Sequence, residues 1–295
     1  MMDNFRQISS RGTTIKKSIM KIIKRGKYIG FMQIILTFMG TIAILPINSD
    51  RTGILYIIML IRRANVPQAI EIVHYIHFAL VHYFVFQVTY CYSNTMLYFV
   101  LHLHIQYVLL IEDCRRLESD LDISKFSDGD LDQYHAIIEK RLSSILSYYH
   151  IIDRYQVFIA DLFRRPMFFV VWFGLFTLMF TSYLLLKVDL GPDVLLVFIV
   201  WISIIEVALH FVVYGQIYVD QRDALWSVLT DFQWFNWNNR NKRTYQMFLN
   251  HVNKARVIIA GGLIPFDATF LIWFGRKTVS TVAFLSTMEE INSSK

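Results

Sequence analysis

The sequence is poor in cysteine and poor in charge. Of its 295 residues only Cys91 and Cys114 are cysteines, and Asp, Glu, Lys and Arg together make up 18%. A soluble domain of this size carries about 25% charge. No CxxC pair and no Cys/His cluster occurs, so metal or redox chemistry finds little support. The two cysteines stand 23 positions apart. On one continuous helix that is roughly 35 Å, which excludes a disulfide between them. The first apolar run begins only at about Gly30, behind a long basic segment, too late for a signal peptide.

Apolar residues fill the space that charge leaves. The chain is 55% hydrophobic and 16% aromatic, and it reads as one polytopic membrane domain over 1–295. The expected fold is all-α: a helical membrane bundle of about five spans with long cytoplasmic helical extensions. The first span is about 30–47, and the second lies within the uncharged run between Glu71 and Glu112. That run is longer than a bilayer needs, so one helix crosses and continues beyond the membrane. The third is Pro166–Leu186 and the fourth about Val194–Val219. The fifth falls within Val257–Met288, and GILYIIMLI at 53–61 is too short to span. Hydropathy alone threads the last span as 257–274, which leaves Arg276 and Lys277 just outside it. Threading it as 265–288 buries them.

Orientation follows from Lys and Arg counts near the spans. With the N-terminus inside, the segments 1–28, 112–165 and 220–256 hold 8, 8 and 6 basic residues, whereas the outside loops hold only Arg51, Arg62, Arg63 and Lys187. The expectation is a multi-pass cell-membrane protein with a cytoplasmic N-terminus and an extracellular C-terminus. The loop 112–165 places Ile137, Ile138, Leu142, Ile145, Leu146, Ile151, Ile152 and Tyr155 at helical spacing, which suggests helices packing on each other. Asp128-Gly129 is its expected turn.

Several constellations invite a sharper reading. His74, His77, His82, His102 and His104 share one run but form no HxxxH or HxxHH box. The first three spread over a wide helical arc, so lining or helix-end roles fit better than metal ligation. Glu206 sits midway along an apolar span, where a carboxylate must face protein, water or a ligand. It is either hydrogen-bonded to a neighbouring helix, or it lines a pocket or pairs with Arg276 or Lys277. Trp234, Phe235 and Trp237 beside Arg240, Lys242 and Arg243 are also found in single-strand nucleic-acid surfaces. Between two spans they fit the membrane interface and inner leaflet better, so no nucleic-acid partner is expected.

The order of these features resembles the insect odorant receptor family. LHLHIQYVLLIEDCRRL (101–117), ILSYYHIIDRYQVFIADLF (145–163), Tyr214-Gly215-Gln216 with LWSVLTDFQWFNW (225–237), and NKRTYQMFLNHVNKARVIIAGGLIPFDATF (241–270) carry the resemblance. It covers most of the chain. Receptors of this family have seven spans, and the five here look like the third to seventh, so the first two are expected to be missing. Val213 stands where the family often has Cys. Gustatory receptors share the fold, but their Thr-Tyr…Gln-Phe ending is absent from KTVSTVAFLSTM.

The resemblance implies a non-enzymatic, odorant-gated cation channel subunit acting in smell. It assembles with a shared co-receptor as a hetero-oligomer, a tetramer, in membrane lipid and with no cofactor. The segment 220–256, with 112–165, anchors subunits in the cytoplasm, and 265–288 is the pore helix. The implied ligand is a small volatile odorant in the outer half of the spans. Depth selects Met39, Thr41, His77, Val81, His82, Phe198, Trp201 and Ile205 for its pocket. Lys277, Val282, Ala283 and Ser286 match the pore and gate region. The rivals are a gustatory-type homomeric channel and, from another class, a polytopic transporter or membrane enzyme. The latter calls for more polar groups at depth. A G-protein-coupled receptor is disfavoured by the N-in orientation and by the lack of DRY-like and NPxxY-like elements.

Overall fold

Long apolar stretches with few charges have one economical way to satisfy their backbone in lipid, which is to stay helical. The chain does so in a computed structural model that describes residues 13–44, 68–120, 130–187, 194–254, 259–260 and 264–293. Helix α1 is Thr13–Ile44, α2 Gln68–Asp120, α3 Leu131–Lys187 and α4 Val194–Thr230. A 3-10 turn at Trp234–Asn236 leads to α5, Asn239–Asn253, and the last helix, α6, is Ala268–Ser293. Two two-residue strands, β1 (Ile259–Ala260) and β2 (Ile264–Pro265), pair antiparallel as Ile259 with Pro265 and Ala260 with Ile264. The fold is all-helical apart from that short ladder. The expected turn at Asp128-Gly129 and the 53–61 segment lie outside the described residues.

Among the described residues three stretches are long and apolar enough to cross a membrane: Tyr90–Leu117, Leu131–Ser182 and Val197–Thr230. Pro166 does not end α3, which runs through it. Cys91 and Cys114 both lie on α2, one exposed and one buried, and form no disulfide.

The chain divides into two compact units. The first comprises Met1–Gly26, Tyr98–Arg165 and Val213–Asp267, and so gathers the segments that the basic residues assign to one side. Its core is built on helical periodicity. On α3, Tyr134, Ile138, Leu142, Ile145, Tyr149, Ile152, Tyr155 and Ile159 are buried at steps of three or four, the spacing that keeps one stripe inward. Ile137, Leu146 and Ile151 flank it half-buried. The same rule places Tyr245, Phe248 and Val252 of α5 in the core. On α1, Ile19 packs with Ile105 and Leu109 of α2, and Ile15, Ile22 and Ile23 close around them.

Several polar groups in this core are paired across helices. Tyr107 donates its hydroxyl to Gln156 Oε1 at 3.0 Å, and Tyr148 donates to Gln106. Each bond ties α2 to α3. Asn238 caps α5 by accepting from the Asn241 amide at 2.9 Å. Asn241, itself buried, donates Nδ2 to the His135 carbonyl at 2.9 Å. Trp237 is buried and packs edge-on to Tyr245 at 5.6 Å. The interfacial position expected for Trp237 is therefore corrected: its ring fills the core, while Phe235 stays exposed.

The second unit comprises Lys27–Leu97, Pro166–Val212 and Ala268–Lys295. Its α3 portion buries Met167, Val171, Leu175 and Leu178, yet also exposes Phe169, Phe173, Phe176 and Phe180 on another stripe. Phe169 is 70% exposed. A helix that is apolar all round, with one apolar face left open, suits a hydrocarbon solvent rather than water. The chain is a multi-pass membrane protein.

Candidate ligand pocket and pore helix

Each helix of the second unit carries a few polar side chains, and these decide what the unit can do. On α1, Gln33 is buried to 1% exposure and accepts from Asn94 Nδ2 of α2 at 3.3 Å. Asn94 also donates to the Tyr90 carbonyl at 3.0 Å, which orients its amide. Gly30 lies one turn before Gln33 and lets the helices approach, since a Cβ there would sit 3.1 Å from Asn94 Oδ1. A hydrogen bond between amides in two apolar helices fixes their rotation as well as their contact. The sequence reading missed this pair. The available signal was Gln33, a lone amide in the first apolar run, but the second run offers Gln87, Asn94 and Gln106 as partners.

Between α3 and α4 the polar contact is Trp201 Nε1 donating to Thr181 Oγ1 at 2.8 Å. Thr181 donates its own proton to the Thr177 carbonyl at 2.7 Å, so the hydroxyl is oriented to accept from Trp201. Phe198 lies edge-on to Trp201 at 5.8 Å. Further along α4, His210 Nδ1 stands 2.7 Å from Glu206 Oε1 and 3.0 Å from the Glu206 carbonyl oxygen. Glu206 is thus paired one turn along its own helix. Of the alternatives the sequence left open for Glu206, none named this partner, and Arg276 and Lys277 are both exposed on α6.

In the first unit α4 makes its closest approach to the connection that leads into α6. A Cβ on Gly215 would lie 1.6 Å from the Phe266 carbonyl oxygen and 2.6 Å from its carbon. Only glycine admits backbone that near. Phe266 is fully buried, and Asp267 and α6 follow it directly.

Helix α6 begins at Ala268, so Gly275, Arg276 and Lys277 lie within it, and no helix spans 257–267 among the described residues. Its buried face is Phe270 and Phe274, with Thr278, Val282 and Ser286 continuing it half-buried. On the opposite face Arg276, Ser280, Ala283 and Thr287 are all exposed. Steps of four, three and four place them in one line along the helix. A polar and small-residue stripe along an apolar helix calls for water or a neighbouring subunit beside it.

The family model described as 7tm Odorant receptor matches residues 7–272 of this chain. The chain belongs to that family. Solved structures with the same fold include the insect olfactory receptor OR5 from Machilis hrabei in complex with eugenol. It is 12% identical, with a TM-score of 0.67 over 96% of this chain and 71% of that one. A second structure of the same receptor is 13% identical, with a TM-score of 0.64 over 95% of this chain and 70% of that one. No curated protein matches the chain.

As an odorant receptor family member, the chain can be asked where its expected pocket residues lie. Phe198, Trp201 and Ile205 share one side of α4, with Trp201 half-buried and the other two exposed. His77 is exposed on α2. Val81 and His82 of α2, and Met39 and Thr41 of α1, lie on their helices with side chains outside the described residues. Of the expected gate residues, Lys277 and Ala283 are exposed, whereas Val282 and Ser286 turn toward the buried side. No group of three or more His, Cys, Asp or Glu side chains that suits a metal occurs among the described residues.

Proposed function

We propose that this odorant receptor is an odorant-gated cation channel subunit that works with a shared co-receptor in a hetero-tetramer, its N-terminus cytoplasmic and its C-terminus outside. It is a receptor rather than an enzyme. The volatile ligand sits in the second unit, against Phe198, Trp201 and Ile205, with Met39, Thr41, His77, Val81 and His82 contributing from α1 and α2. An apolar, aromatic lining suits a small, weakly polar molecule. A receptor of the same fold takes eugenol, so small oxygenated aromatics make the first test panel.

The observation that carries the channel reading is the exposed line Arg276, Ser280, Ala283 and Thr287 on α6. These side chains are exposed in a single subunit, and a ring of such helices would give them a water-filled path to face. The segments 112–165 and 220–256, whose described residues are mostly helical and lie in the first unit, supply the cytoplasmic anchor. Co-expression with the family's co-receptor should give cation currents evoked by at least one panel member, and the co-receptor alone should not respond to it. Surface-expressed pairs that stay silent across a broad panel, with no ligand-dependent binding, overturn the reading. A current from the chain expressed alone points to the gustatory-type homomeric alternative.

A further inference from the structure

Between Thr13 and Ile44 helix α1 carries no Asp or Glu, yet it carries Lys16, Lys17, Lys21, Lys24 and Arg25 within ten residues. Positive-inside placement accounts for their being on one side of a membrane. It does not account for their arrangement on the helix. At about 100° per residue, Ile15, Ile19, Ile22, Ile23 and Gly26 occupy one arc and all five basic residues the other half. The first arc is seated on Ile105 and Leu109 of α2, which holds the basic face outward. All five basic residues are exposed, and Met20 is exposed among them at 49%. No acid is recorded as paired with any of the five among the described residues. Lys27 follows in sequence, and the apolar run that enters the membrane begins at about Gly30.

We propose that this face of α1 binds the phosphate headgroups of anionic phospholipids in the inner leaflet, a role that rests on the cytoplasmic placement of the N-terminus. The commitment to a lipid rests on three features together. Among the described residues no acid pairs with the charge, it shares a helix with a membrane-entering segment, and the apolar Met20 lies exposed within the basic face. Juxtamembrane clusters of four to eight Lys and Arg attract anionic lipid, and each basic residue near the surface contributes about fivefold in affinity. The attraction is short-ranged, screened within about 8 Å at physiological salt.

The test uses the full chain, purified in phosphatidylcholine mixed micelles and titrated with a fluorescent phosphatidylinositol 4,5-bisphosphate or with phosphatidylserine. Binding should be saturable, should weaken as salt rises, and should fall at least tenfold in the variant K16Q/K17Q/K21Q/K24Q/R25Q. The matching variant with arginine at positions 16, 17, 21 and 24 should keep it. Soluble inositol trisphosphate in neutral micelles separates headgroup affinity from lipid affinity, and the lipid should bind more tightly. Equal binding by the neutralised variant, or no preference over phosphatidylcholine, overturns the proposal. If the fivefold variant elutes as an aggregate, K16Q/K17Q alone should give a graded loss, and no loss counts against the idea. Micelles present lipid to every face, so the result is independent of topology. Tag accessibility in intact and permeabilised cells tests the orientation separately.

Discussion

The Phe266 carbonyl oxygen occupies the place that a side chain at position 215 requires, 1.6 Å from a Cβ built on Gly215. The obstructing atoms are backbone, so no rotamer change relieves them. One element of the first unit therefore sets the position from which α6 departs. Overpacked cores lose about 1–3 kcal/mol, and a clash with main chain belongs at or above the top of that range. Gly215→Ala is expected to lower the melting temperature of the purified chain and to alter odorant-evoked current beyond the loss of surface protein. A G215A variant with wild-type melting and wild-type current removes this role for Gly215.

The Gln33–Asn94 bond makes a prediction that a sum of single contacts does not. Hydrogen bonds between membrane helices average about 0.6 kcal/mol, reaching 1–2 in model systems. Removing one partner leaves the other amide without its mate in an apolar setting, a larger cost. Gln33→Leu and Asn94→Leu should each destabilise the chain, while the double variant recovers part of the loss. Thermal unfolding in detergent reads the cycle directly. Strict additivity of the two single effects shows that the amides do not depend on each other.

Tyr245 and Trp237 should separate in magnitude although they touch. Tyr245 donates to the Leu229 carbonyl at 2.6 Å near the end of α4, and that oxygen also accepts from the Phe232 amide at 3.2 Å. Tyr245→Phe therefore leaves the carbonyl satisfied and should cost about 0.5–1.5 kcal/mol. Trp237→Ala empties buried volume and should cost about 3–5 kcal/mol. Comparable losses from the two substitutions contradict the packing described for α5.

What the sequence made legible was one-dimensional. Apolar length located α2, α3 and α4, and the three-four spacing of Ile138, Leu142, Ile145 and Ile152 revealed the helical packing of 112–165. Relations that depend on helix rotation stayed hidden. Gln33 and Asn94 stand 61 positions apart, and nothing local says that they face each other. Glu206 and His210 were within reach, because i,i+4 partners share a helix face, but the acid was weighed against a neighbouring helix, a pocket and distant charges rather than its own helix. Trp237 was read by composition as interfacial, whereas its place is decided by Tyr245 and Phe232, residues on either side of a turn. On α6 the rotation was hidden too: of the residues named there, Lys277 and Ala283 are exposed, whereas Val282 and Ser286 turn toward the buried side.

That face can be tested residue by residue. Cys91 is exposed, so the background for thiol labelling is Cys91→Ser. On it, Ser280→Cys and Thr287→Cys should react with a water-soluble methanethiosulfonate reagent applied during odorant stimulation and lose current. Val282→Cys, turned toward the buried side, should react more slowly. Arg276 adds a test of sign. A positive charge beside a cation path raises the barrier to entry, so Arg276→Gln should increase odorant-evoked cation current at equal surface density, and Arg276→Glu should increase it further. The exposed line borders water only if modification follows 280 and 287 rather than 282. Rapid labelling at 282 with protection at 280 and 287 means that α6 is rotated in the assembled channel and that another face lines the path.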